Sequence, residues 1–322
     1  MRIPFTQEFK SLFADTLKTA ISLYKIMIPI SIAVKVLQYF GLISVMGIGL
    51  APLMEAIGLP GECGIIWATT MMTNIYGGMI AFYSLDINAS LTTAEVSVLC
   101  SLMLMAHALP VELQVARKAG CRLLVMFLIR FAFGLITGFV MYNMLHLGGW
   151  LQEPNHIQWQ PEMIVNATVW EWLFAELKKY ILVFFVVMAL LLLMRILKRT
   201  GVLDRLSQAL KPILGVLGIN KEVIPMTVIG LSMGILYGGA LIIKETKEKE
   251  IPKMDVFYAF LLMGLCHSLI EDSLLMLSMG ANWIMVFIFR MVFALIITWL
   301  LVSVLRFFPE RLLLRWLTTK TP

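Results

Sequence analysis

Two histidines in apolar stretches of the chain each precede an acid by a short interval. His107 is followed by Glu112, five residues on, and His267 by Glu271 and Asp272, four and five residues on. On a continuous helix the four-residue spacing puts His267 and Glu271 on one face. Five residues leave His107 and Glu112 about 140° apart unless Pro110 bends the segment. An imidazole near a carboxylate can bind a cation, pass a proton or hydrogen-bond a polar solute. The competing reading is structural. Arg130 and Arg290 lie inside Phe-Leu-Ile-Arg-Phe and Phe-Ile-Phe-Arg-Met. Buried guanidiniums demand acidic partners, and the neighbouring carboxylates would supply them. Anion binding is the other use for such arginines.

A second candidate set surrounds two glycine pairs. Asn74 precedes Tyr76-Gly77-Gly78, and Tyr237-Gly238-Gly239 follows Ser232 and Gly234 with no asparagine at the matching place. Glycine pairs weaken a helix by about 1 kcal/mol per residue and permit a reversal. A break there would offer free backbone to a substrate at mid-membrane. Glycines also serve close helix packing, which is the plainer reading.

Other chemistry is thinly supported. The sequence holds no HExxH zinc motif, no Gly-x-Ser-x-Gly elbow and no phosphate loop, so no enzymatic activity and no cofactor are expected. His267 to Glu271 could ligate a divalent metal with Cys266 alongside, but adjacent helical residues point about 100° apart. No metal site is therefore assigned. Cys63, Cys100, Cys121 and Cys266 form no CxxC pair and read as small buried hydrophobes. Lys35 and Arg195 lie near the ends of apolar runs, where long cationic side chains snorkel.

These residues sit in a chain that water alone would not dissolve. Of 322 residues 60% are hydrophobic and only 14% charged, against about a quarter charged in soluble domains. The mean hydropathy is +0.88. The bilayer must be the solvent for much of the surface. The net charge of +6 fits basic cytoplasmic loops. No basic stripe with interleaved aromatics is present, which excludes nucleic acid as a partner.

Apolar runs occur at 21–46, 63–85, 93–111, 121–145, 180–197, 223–243, 256–280 and 283–305. A polar stretch at 146–178 divides them into two sets of four. Shifting the first set by 160 residues lays Gly41 on Gly201, Pro52 on Pro212, His107 on His267, Glu112 on Asp272 and Arg130 on Arg290. Only four histidines exist and two of them fall in register, so an internal repeat is expected. The organisation is then a first membrane repeat at 1–145, an extracytoplasmic linker at 146–178, and a second repeat at 179–322 with a cytoplasmic C-terminal tail.

Charge gives the orientation. No Lys or Arg lies between Leu37 and Ala116, whereas the matching part of the second half carries Lys198, Arg199, Arg205, Lys211, Lys221, Lys244, Lys247, Lys249 and Lys253. By the positive-inside rule the matched loops face opposite sides, so the repeats are inverted. Inversion needs an odd number of crossings per half. The expected fold is all-α and integral to the membrane. It has two inverted-topology repeats, each with about three spanning helices, an amphipathic segment and a glycine-broken re-entrant hairpin at 63–85 or 223–243. Both termini would be cytoplasmic, in the inner membrane of a bacterium.

The stretches from Gly41 through Pro52 and Gly58 to Pro60, and from Gly201 through Pro212 to Gly218, resemble the nucleoside recognition or "gate" module. It is found in spore maturation membrane proteins, in the membrane part of ferrous iron transport protein B and in concentrative nucleoside transporters. The resemblance covers about 21–145 and 179–305 and implies a transporter-like architecture. A nucleoside-like solute is one candidate it raises, without fixing a substrate. The expected function is a permease for a small polar solute or ion, with its site between the two repeats. A non-transporting membrane scaffold and a divalent-metal permease are the alternatives. The expected partners are the bilayer, the solute and further copies of the chain.

Overall fold

The computed structural model describes residues 5–85, 90–157, 169–249 and 251–319. The polar linker is therefore described only in part, and Glu162 lies outside the described residues. Among those residues the chain is helical, with two isolated β-bridges and no strand.

Each half carries the same series of helices in the same order. A long helix comes first: α1 (Phe5–Tyr39) and, in the second half, α8 (Val169–Arg199). A glycine in the left-handed region stops each, Gly41 at φ 67° and Gly201 at φ 71°. A shorter, proline-containing helix follows, α2 (Leu42–Glu55) or α9 (Val202–Val216), ending before Gly58 or Gly218, again at positive φ. Next comes a pair of ten- to fourteen-residue helices: α3 (Cys63–Met72) with α4 (Ile75–Ser84), or α10 (Ile224–Met233) with α11 (Ile235–Glu248). Another broken pair follows, α5 (Thr93–Met105) with α6 (Leu109–Lys118), or α12 (Lys253–Leu265) with α13 (Glu271–Ser278). The last member is α7 (Leu123–Gly148), or a π-helical turn at Ile284–Phe289 running into α14 (Arg290–Leu305). A short α15 (Glu310–Leu317) ends the described chain.

Among the described residues five segments are long and apolar enough to cross a membrane: Lys10–Leu37, Thr93–Lys118 (interrupted at 106–108), Leu123–Gly148, Glu176–Leu197 and Ile284–Leu305. Their outer faces present Leu128, Phe139, Phe185, Leu192 and Ile296, while Arg130 and Arg290 are buried. An apolar exterior around a charged interior is the distribution a bilayer demands, and the protein is an all-α integral membrane protein.

Several expected boundaries move. The run at 21–46 belongs to two helices, because Gly41 ends α1. Within the expected linker, α7 continues to Gly148 and α8 is described from Val169, while residues 158–168 lie outside the described residues. The run at 256–280 is not one helix. Its break at 266–270 is longer than the matching one at 106–108 in Thr93–Lys118, and among the described residues five candidate spans stand where six were expected.

The glycine-rich segments do break, but not at the glycine pairs. The interruptions fall at Thr73–Asn74 and at Gly234, and both pairs lie inside the helices that follow. Gly78 and Gly238 serve packing within each hairpin, while Gly77 also faces Ile30 and Gly239 faces Val115 and Phe260 of neighbouring helices. A Cβ on Gly78 would stand 1.8 Å from Thr70 Oγ1, and one on Gly238 would stand 2.6 Å from the Gly230 Cα. The two arms of each hairpin approach too closely for a side chain at those points.

Candidate functional site

The central feature is a pair of helix breaks that the apolar pattern concealed. α5 ends at Met105 and α6 begins at Leu109; α12 ends at Leu265 and α13 begins at Glu271. Ala108 and Ser268 occupy the left-handed region at φ 48° and 46°. A non-glycine residue held there is strained, and such strain clusters at functional sites. Pro110, at the start of α6, has no N–H to continue the preceding helix. The backbone of each break docks on the neighbouring hairpin. Ala108 N donates to Thr70 O at 3.1 Å, and Leu269 N to Leu231 O at 2.9 Å.

His107 and His267 sit in these breaks, and their rings meet at the centre of the molecule. The two Nε2 atoms are 2.9 Å apart and the ring centroids 4.7 Å apart. Each Nδ1 lies against the carbonyl four residues earlier, Met103 O at 3.1 Å and Met263 O at 2.7 Å. Glu112 enters from the first turn of α6. Its Oε1 lies 3.1 Å from His267 Nε2 and 3.4 Å from His107 Nε2. The helix N-terminus favours a carboxylate at that position. Asp272, in the first turn of α13, brings Oδ2 to 3.7 Å from His107 Nε2. All four side chains are buried.

The arginines close the broken helix ends. Arg130 donates from Nη1 to Glu112 Oε2 at 2.5 Å and from Nε to Met105 O at 3.1 Å. Arg290 donates from Nη2 to His267 O at 2.9 Å and to Leu104 O at 3.3 Å. Carbonyls that lose their helical partners at a break need donors, and cationic side chains at a helix C-terminus also suit the dipole. The pairing expected between Arg290 and Asp272 does not form. Arg290 Nε and Nη1 and Asp272 Oδ2 have no hydrogen-bond partner among the described residues.

The other candidates scatter. Glu271 is partly buried and stands outside the His107–His267–Glu112 group. The four-residue spacing from His267 does not put the two on one face, because the break lies between them. Asn74 caps α4, its side chain accepting from Gly77 N at 2.9 Å. Tyr76 is within electrostatic reach of Glu271 and Asp272 and lines an apolar cavity with Met79, Tyr83 and Leu275. Tyr237 is 62% exposed on the outer surface and turns away from the cluster. Gly77, Gly78, Gly238 and Gly239 pack helices, as described above. Sequence reasoning passed over Ala108 and Ser268. The signal was the 160-residue match itself, which aligns Ala-His-Ala with Cys-His-Ser.

The chain is similar to the uncharacterized membrane protein YvoD of Bacillus subtilis (strain 168), with 28% identity over 268 residues, 82% of this chain and 84% of that one. No protein-family model and no solved structure matches the chain.

Proposed function

We propose that the protein is a membrane permease for a small polar solute or ion, and that its site is the buried His107–His267–Glu112 cluster where the two halves meet. The observation that carries this is the contact between two histidines from matched helix breaks deep in the molecule. Broken helices at membrane depth are tolerated where they are buried in protein or line a path, and transporters place substrate sites at such breaks. Hinged, strained segments on both sides of a polar centre suit alternating exposure to the two faces of the membrane. The protein is read as a permease and not as an enzyme, because the sequence carries no HExxH, Gly-x-Ser-x-Gly or phosphate-loop motif. The gate-module resemblance points to the same transporter-like architecture.

Inverted topology is part of the proposal. α1 and α8 run antiparallel, since Asp15 pairs with Arg195 while Ser31 meets Tyr180. Arg122 N bonds Leu317 O, so the basic 117–122 corner and the C-terminal helix share one end of the molecule. With Arg311 and Arg315 in that helix, this end is the cytoplasmic one by the positive-inside rule. The membrane is then a bacterial cytoplasmic membrane. Single cysteines at Ser84 and Thr246, in a cysteine-free background, should label with an impermeant reagent from opposite sides. Labelling from one side would overturn the inversion.

Transport itself is tested in proteoliposomes. Solutes would first be selected by thermal shift against nucleosides, divalent metals and organic acids. Uptake should disappear in His267→Ala with insertion and purification unchanged. Unaltered uptake in that variant would defeat the site, and no uptake of any stabilising solute would defeat the function. One observation favours the scaffold reading: the arginines satisfy carbonyls and an acid inside a sealed centre, which is work for stability. Under that reading every single change in the cluster would lower stability without a separate effect on uptake.

A further inference from the structure

The two central imidazoles present lone pairs to each other. Each Nδ1 faces a backbone carbonyl, which only accepts, so Nδ1 carries the hydrogen and the neutral ring leaves Nε2 as an acceptor. Those two acceptors stand 2.9 Å apart. Glu112 Oε1 is a third acceptor, 3.1 Å and 3.4 Å from them. Arg130 holds the other carboxylate oxygen and so leaves Oε1 turned toward the rings. Three acceptors converging with no donor among them repel one another unless a positive ion lies between.

The size of the triangle indicates which ion. Metal–ligand bonds of about 2.0–2.1 Å, opened by 90° to 109°, separate neighbouring donor atoms by about 2.9–3.4 Å. The three edges here are 2.9, 3.1 and 3.4 Å. Two imidazoles and one carboxylate suit borderline transition ions, whereas Ca²⁺ and Mg²⁺ prefer all-oxygen shells. The surroundings match a metal site too. Both ring N–H groups are fixed by carbonyls and the carboxylate by a guanidinium, the outer contacts that orient metal ligands.

We propose that His107 Nε2, His267 Nε2 and Glu112 Oε1 bind a divalent transition-metal ion. Asp272 Oδ2, a buried oxygen with no hydrogen-bond partner among the described residues, lies 3.7 Å from His107 Nε2 and stands beside this triangle rather than in it. Neither half builds the site alone: His107 and Glu112 come from the first, and His267 from the second. The nearby Arg130 and Arg290 repel a divalent ion and limit its affinity, which suits a site that must release what it binds. The binding claim is independent of transport; naming the ion as the cargo rests on the permease reading.

The test uses the full chain, purified in detergent with a tag free of histidine and titrated with Co²⁺. Wild type should develop saturable d–d absorption bands at one equivalent, and Zn²⁺ should abolish them. His146→Ala and His156→Ala should leave the bands intact, while His107→Gln and His267→Gln should remove them. Absence of bands in folded wild type, or bands indifferent to both central substitutions, would overturn the proposal; a centre that binds only a proton gives the first result. Since a variant could fail to fold, wild type alone supplies a second readout. Its melting temperature should rise with Zn²⁺ and return with chelator, and no shift would count against the site. Saturable Co²⁺ binding without Zn²⁺ or Co²⁺ uptake in proteoliposomes would support the site while removing the ion as cargo.

Discussion

In the first half Arg130 reaches Glu112 at 2.5 Å and also closes the Met105 carbonyl. In the second half Arg290 occupies the matching place, but the acid there is Asp272, one methylene shorter, and the two form no ion pair. Arg290 turns instead to the carbonyls of Leu104 and His267, leaving Nε and Nη1 without partners among the described residues. The hairpins differ in the same sense. Asn74 caps α4 with its side chain, whereas Gly234, at the matching place before α11, offers none. Matched backbone therefore carries unmatched chemistry: Arg130 is fastened to its acid and leaves Nη2 without a partner among the described residues, whereas the second half leaves Arg290 Nε and Nη1 and Asp272 Oδ2 so. Such a difference gives one side of a buried site a fixed wall and the other freedom to rearrange.

The sharpest way to break that comparison is to remove each acid in turn. Glu112→Ala strands a buried guanidinium and should lower unfolding stability by about 3–5 kcal/mol. Asp272→Asn removes no ion pair and should cost about 1 kcal/mol. Both are read from denaturant unfolding in detergent, with chelator present to exclude metal linkage. Equal losses would mean that the second pair closes after all. A double change, Glu112→Gln with Arg130→Met, should recover part of the first loss.

The hairpins give the next largest contrast. A methyl on Gly238 meets backbone, the Gly230 Cα at 2.6 Å and Met226 O at 2.8 Å, so the helices themselves must part. On Gly78 it meets two side chains, Thr70 Oγ1 at 1.8 Å and Met103 Cε at 2.8 Å, and the methionine can move. Gly238→Ala should cost about 2–3 kcal/mol and Gly78→Ala about 1–2 kcal/mol. Melting curves that rank them the other way would show that the second hairpin has slack.

A gain is expected where the missing methylene is restored. Asp272→Glu lengthens the acid toward Arg290 and should add about 1.5 kcal/mol through a new charge-assisted hydrogen bond. A double-mutant cycle with Arg290→Met measures it. A coupling near zero would show that length is not what keeps the pair apart.

Much of this was legible in the chain and some was not, for physical reasons. The all-α membrane class followed from composition, because apolar surface in such excess admits only one solvent. Arg130 and Glu112 could be paired from sequence, since a charge in hydrocarbon must find its opposite. The break at His107 and His267 was not visible. Ala, Leu and Met dominate on both sides, and an apolar run has the same look whether its helix is continuous or interrupted. The meeting of the two histidines depends on how the halves pack, which no spacing within either half records. Tyr237 shows the opposite error: its match to Tyr76 in sequence suggested a shared role, yet it lies on the exposed surface.

The smallest effect concerns the strain at the breaks. Ala108 and Ser268 sit at φ 48° and 46°, where a side chain costs about 1 kcal/mol that glycine would not incur. Glycine also loosens the unfolded chain, which takes back about 0.5 kcal/mol. Ala108→Gly should therefore raise stability by about 0.5 kcal/mol, seen as an upward shift of the melting curve. Ser268→Gly should gain less, because the Ser268 Oγ lies where it would sit 2.9 Å from a Cβ on Gly234 and so helps fill the gap beside that residue. The ordering sharpens the comparison between the halves, since the same backbone strain would then be partly compensated in one and bare in the other. If both substitutions destabilise by more than about 1 kcal/mol, the side chains are packed rather than strained, and the breaks are held by contact rather than against it.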